Sequence, residues 1–120
     1  AVDNLSVGSY GVNFGAAVDI STGQVNRPGI YLDITKPEVY YHPVTNMPVV
    51  GFKIPCWEEC KHLVIKAAGL VPGNRSIGWD IAVTNEGPVL IEANHNWNLL
   101  SMVPGRKGFK KEFQQYLSMI

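Results

Sequence analysis

The stretch "GWDIAVTNEGPVLIEANHNW", Gly78 to Trp97, reads as two apolar β-arms forming a hairpin. Side chains alternate along a strand, so Trp79, Ile81 and Val83 share one face while Asp80, Ala82 and Thr84 share the other. The return arm divides in the same way, with Val89, Ile91 and Ala93 against Leu90, Glu92 and Asn94. Residues directly opposite in an antiparallel pair point the same way. A register that unites the apolar sets therefore gathers Asp80, Glu92 and Asn94 on one face. A slip by one residue would expose four large aliphatic side chains, each worth about 1.5 to 3 kcal/mol, and is disfavoured.

Two carboxylates held this close repel, and a divalent cation relieves the repulsion. Asp, Glu and an Asn carbonyl are hard oxygen ligands, which favour magnesium or manganese over zinc or copper. Magnesium bound by few carboxylates keeps positions for water and phosphate oxygens, so the cluster points to a nucleotide triphosphate. The alternative is an ordinary two-sided hairpin whose polar face is solvated and whose last strand residue is Asn94. On periodicity alone the ordinary solvated hairpin is the preferred reading.

The whole chain has 120 residues, the size of one domain, with ten acidic and ten basic side chains. That balance gives no overall field toward nucleic acid or an anionic membrane. No apolar run approaches the roughly 18 residues that would span a bilayer, so the expectation is a soluble cytoplasmic protein.

Upstream, "AVDNLSVGSYGVNFGAAVDISTGQV" reads as two strands around a Gly-rich turn near Gly8 to Gly11, with a second turn at Ser21 to Gly23. Asn26 to Pro55 carries five of the eight prolines and reads as a long excursion with one or two short strands. "PCWEECKHLVIKAAGL" places Trp57, Cys60, Leu63, Val64 and Ala67 at helical spacing, with glutamates early, lysines later and Gly69 as the stop. "FKKEFQQYLSMI" spaces Phe109, Phe113, Tyr116, Leu117 and Ile120 as a second helix, expected to pack on the sheet. The fold expected is α+β: an antiparallel sheet with two packed helices. Cys56 and Cys60, with His62 nearby, raise the question of zinc. No second Cys/His pair lies close by, and structural reduced thiols are the preferred reading.

Taken together, "IGWDIAVTNEGPVLIEANHNW", "VDNLSVGSYGVNFGAAVDISTG" and "HPVTNMPVVGFKIPCWEE" resemble the ATP-grasp superfamily, in the branch associated with sugar transfer and polysaccharide loci. The resemblance covers nearly the whole chain, and the hairpin is its most specific part. It implies that Asp80, Glu92 and Asn94 hold magnesium (or manganese) against ATP. It also implies that residues 1–120 form the C-terminal subdomain of a fold whose other subdomain clasps the nucleotide. The reaction implied activates a small carboxylate as an acyl phosphate, which an amine or similar nucleophile then attacks. Several relatives have an Arg two residues before the metal-binding Asp; Gly78 stands there in this chain, and Arg75 is the nearest candidate.

Secondary candidates are His95 and Asn96, which follow the metal strand and could meet the acceptor or acyl phosphate, or else lie in a solvated loop. Asn4 and the Gly8/Gly11 turn are candidate amide donors to an anion, or a plain tight turn. Arg106, Lys107, Lys110 and Lys111 form a basic patch read as a solvated face. The competing function is a non-catalytic module that recognises a saccharide or a protein. A half-clasp would leave apolar surface exposed, which would favour self-association.

Overall fold

The computed structural model describes residues 14–31, 33, 35–74, 76–95, 97 and 110–119. In chain order its elements are helix α1 (Trp57–Ala68), strands β1 (Gly78–Thr84) and β2 (Gly87–Asn94), and helix α2 (Lys110–Ser118). The strands form a two-stranded antiparallel sheet.

Among its described residues the segment before α1 contains no extended strand but folds by short antiparallel bridges, Gly15 with Ile30, Val18 with Val25, Gly29 with Val39, Tyr41 with Pro48 and Gln24 with Lys53. Prolines at 28, 37, 43 and 48 explain the brevity, because each removes a ladder donor. The turns between bridges are closed by side chains. Asp19 Oδ1 accepts from Ser21 N (2.8 Å), Ser21 Oγ (2.6 Å) and Thr22 N (3.2 Å), and Gly23 completes the turn at φ 73°. His42 Nδ1 accepts from the backbone N–H of Val44 and Thr45 and organises the turn before Pro48. Val25, Val39 and Val49, 4–6% exposed, form the buried cluster, flanked by Phe14, Ala16, Val18 and Tyr31. The stretch read as an excursion therefore carries two of the three valines of this cluster.

In α1, Trp57, Cys60, Leu63, Val64 and Ala67 are the residues turned inward, as their spacing predicts, with Cys60 buried and Lys61 half-buried beside them. Glu58 and Glu59 in the first turn and Lys66 in the last complement the helix dipole. The helix stops at Gly69, whose N–H donates to Ile65 O. Its first residue joins it to the bridged segment. The Trp57 indole N–H donates to Ile20 O at 2.8 Å, and its ring lies where a Cβ on Gly23 would sit, 2.5 Å from Trp57 Cγ. Only glycine meets both the positive φ and that contact. Along its length α1 packs on β2 and, to a smaller extent, on β1.

Two expectations are corrected. Among the described residues α2 makes no contact with α1 or the hairpin, so it does not pack on the sheet, and Leu117 on its apolar side is 49% exposed. The strand β2 also does not keep one alternation throughout. A register shift between Asp80 and Ile81 pairs Asp80 with Glu92 but Ile81 with Leu90, leaving Ile91 as an extra residue. This is a β-bulge, which reverses the facing of everything on one side of it. Leu90 and Pro88 consequently take the places opposite Ile81 and Val83 and are half-buried, whereas Val89 and Ile91, expected in the core, are 47% and 61% exposed.

Candidate metal and nucleotide site

The bulge leaves the polar end of the hairpin in regular pairing: Gly78 with Asn94, Trp79 with Ala93 and Asp80 with Glu92. Opposed residues place their Cβ atoms about 4.5–5.5 Å apart on the same face, and residues two apart on a strand share a face. Asp80, Glu92 and Asn94 are thus brought to one face by the register. Asp80 and Asn94 are half-buried and Glu92 is exposed. The turn that returns the chain is short: Thr84 Oγ1 donates to Gly87 O at 2.8 Å and accepts from Glu86 N at 3.2 Å, and Gly87 has φ 113°.

A side chain that the sequence reading left without a role closes one end of this face. A Cβ built on Gly78 would lie 2.5 Å from Trp97 Cβ and 3.2 Å from Trp97 Cγ. Gly78 is two residues before Asp80, so its missing side chain would point to the carboxylate face, and Trp97 occupies that space. The indole N–H of Trp97 donates to Ser76 Oγ at 2.8 Å, and the residue is half-buried. The signal for it in the sequence is glycine at a strand position, which marks the close approach of another group.

The donor set fits a hard divalent cation. Two carboxylates and an amide carbonyl lie on one face, with solvent access through Glu92. Among the described residues no three His, Cys, Asp or Glu side chains converge, so the third protein ligand would have to be the Asn94 amide oxygen. His95 follows β2 directly and is exposed. Asn4, Gly8, Gly11, Arg75, Asn96, Arg106 and Lys107 lie outside the described residues. Lys110 and Lys111 open α2, and both are exposed.

The cysteines stand apart from this face. Both are free thiols: Cys56 is exposed at φ 55°, and Cys60 is buried one turn on, where burial pushes its thiol above the usual range. In the Asp19 turn, the hydrogen bond from Ser21 Oγ, reinforced by Ser21 N and Thr22 N, holds the carboxyl below its ordinary value. Asp33 is lowered in the same manner by Thr35. These are turn-closing carboxylates with their acceptor capacity used locally. No helix among the described residues is long and apolar enough to cross a membrane.

Neither the curated proteins nor the solved structures include a significant match to this sequence. The profile of a family described as sugar-transfer associated ATP-grasp, by contrast, matches residues 1–116, taking in the bridged segment, α1 and the hairpin with its carboxylates. That span is nearly the whole sequence, and the chain belongs to the sugar-transfer associated ATP-grasp family.

Proposed function

We propose that this chain is the C-terminal, metal-bearing subdomain of an ATP-dependent ligase, acting in the cytoplasm on a carboxylate substrate tied to saccharide metabolism. Family membership supports nucleotide binding and a ligase-like use of ATP. The observation that carries the finer reading is the direct cross-strand pairing of Asp80 with Glu92, with Asn94 next on the same face. The bulge at Ile91 changes the facing of the apolar residues beyond it and leaves this pairing unaltered.

Asp80, Glu92 and Asn94 would hold magnesium or manganese. When bound, such an ion neutralises charge on the β- and γ-phosphates and on the phosphoryl group in transfer. The chain's own contribution is positioning. The two strands fix the carboxylates in mutual register before any ligand arrives, so little ordering remains to be done on binding. Asp80, half-buried, orients the inner side of the site, and Glu92, exposed, faces incoming ligand. The acceptor would then displace phosphate from an acyl phosphate, with no protein nucleophile needed; His95 and Arg75 remain candidates to meet the transferred group.

Glu92→Gln tests this. Glu92 is exposed, so the substitution leaves the fold intact by circular dichroism. It should weaken Mn2+ binding, read by calorimetry or by paramagnetic broadening, by about tenfold or more, because one of only two carboxylates is lost. ATP turnover by the complete enzyme should fall with it. Unchanged metal affinity and normal turnover in Glu92→Gln would sink the proposal.

A further inference from the structure

We infer that Trp97 is a substrate-contacting residue. Its indole forms the wall of an acceptor subsite on the carboxylate face of the hairpin, and the acceptor class it fits is a saccharide ring. The inference rests on the proposed metal site and adds to it the chemistry of the second ligand.

Three observations lead there. Trp97 occupies the volume that a side chain at Gly78 would fill, and that volume is on the face of Asp80, Glu92 and Asn94. Its indole N–H is held by Ser76 Oγ, which fixes the ring without engaging its π-surface. It remains half-buried, although a large apolar ring with its only polar atom satisfied has every reason to bury itself further. A part-exposed indole held in place by its N–H is suited to serve as a stacking platform.

The neighbouring polar groups define what would stack there. If the Asn94 carbonyl oxygen is a metal ligand, its NH2 group is left as a donor, since an amide nitrogen does not ligate magnesium. On the same face as Gly78, where the Trp97 side chain lies, an amide donor and an exposed carboxylate suit a ring that is apolar on its face and oxygen-rich at its edge. A pyranose has that shape, its C–H face against the indole and its hydroxyls toward Asn94 and Glu92. The adenine of a nucleotide whose phosphates would meet a metal ion held at Asp80 and Glu92 does not suit the place. Ribose and the α-phosphate hold the base away from the metal, whereas Gly78 is two residues, or about 7 Å, along β1 from Asp80.

Indole N–H signals of the 120-residue chain in heteronuclear NMR provide the test. Trp57, Trp79 and Trp97 give three signals, and Trp97→Phe identifies the third. A methyl hexopyranoside and a methyl hexuronoside at up to roughly 50 mM, well above a millimolar Kd, should shift the Trp97 signal and leave that of Trp57 in place. In Trp97→Ala the affinity read from backbone amides near Asn94 should fall about tenfold or more. Trp97→Phe, which keeps a stacking ring but loses the bond to Ser76, should stay within about threefold. Saccharides that leave Trp97 unmoved, or a Trp97 signal moved by Mg-ADP and not by either sugar, overturn the inference. Mn2+ broadening of the Asp80 and Glu92 signals is read separately. Broadening without any saccharide effect overturns the subsite and leaves the metal site standing, and a saccharide effect without broadening does the reverse.

Discussion

The segment from Phe14 to Pro55 and the hairpin from Gly78 to Asn94 differ in what they hold together. Among its described residues the first forms only isolated bridges yet buries Val25, Val39 and Val49. The second is paired from end to end apart from the bulge at Ile91, yet buries no residue to that degree. Backbone regularity and burial are thus separable. Turn-closing side chains and a small aliphatic cluster hold the irregular part, where proline limits each ladder to a single bridge. The hairpin has its ladder satisfied but, with two strands, too little apolar contact to be stable alone. It leans on α1, and its register gathers Asp80, Glu92 and Asn94 on one face. Stability sits mainly in one region and the proposed site in the other.

The sharpest way to break that comparison is to remove equal volumes from each part. Val25→Ala should cost about 2–3 kcal/mol, the transfer loss plus an unfilled cavity. Val89→Ala, on the exposed side of β2, should cost no more than about 0.5 kcal/mol. Urea unfolding followed by circular dichroism measures both, and equal losses would show that the hairpin shares the core.

Within the hairpin, the bulge predicts an inverted order for two neighbours. Leu90→Ala should cost about 1–2 kcal/mol, because Leu90 faces Ile81 on the half-buried side, and Ile91→Ala about 0.5 kcal/mol or less. Simple alternation requires the opposite order. If Ile91 proves the costlier, the bulge is not where we place it.

The smallest effect is in the turn beneath Trp57. Asp19 has its folded value below that of the unfolded chain, so its contribution is present at neutral pH and is lost as pH falls through the folded value. Asp19→Ala should therefore be less stable than the native chain at pH 7, and the gap should close in acid. The carboxyl lies at the surface, so the difference will be small. A gap that persists in acid would assign the effect to packing rather than to the carboxylate.

Much of this was legible in the residues. The inward face of α1 follows from spacing alone, because three-and-four spacing admits one apolar stripe. The span of the hairpin and the pairing of Asp80 with Glu92 were likewise readable. The phase of β2 was not, for a definite reason: Val89, Leu90 and Ile91 are consecutive aliphatics, and a run without alternation carries no information on which member faces inward. The core at Val25, Val39 and Val49 was hidden because proline and glycine punctuate that segment so densely that no strand-length pattern survives. Its burial is set by bridges between residues distant in sequence. For α2, amphipathic spacing gave the helix but named no surface to receive it. Trp97 escaped because its meaning lies in a glycine nineteen residues earlier.

Trp57 has a mechanical meaning. Its ring is seated on Gly23 and its N–H on Ile20 O, while the helix it begins bears on β2. Among the described residues, turn, helix and hairpin therefore touch in series, and the Trp57 indole shares the joint between turn and helix with the backbone bond from Ile54 N–H to Gly23 O. A displacement of the hairpin that moves α1 is thus felt at the turn beside the valine cluster.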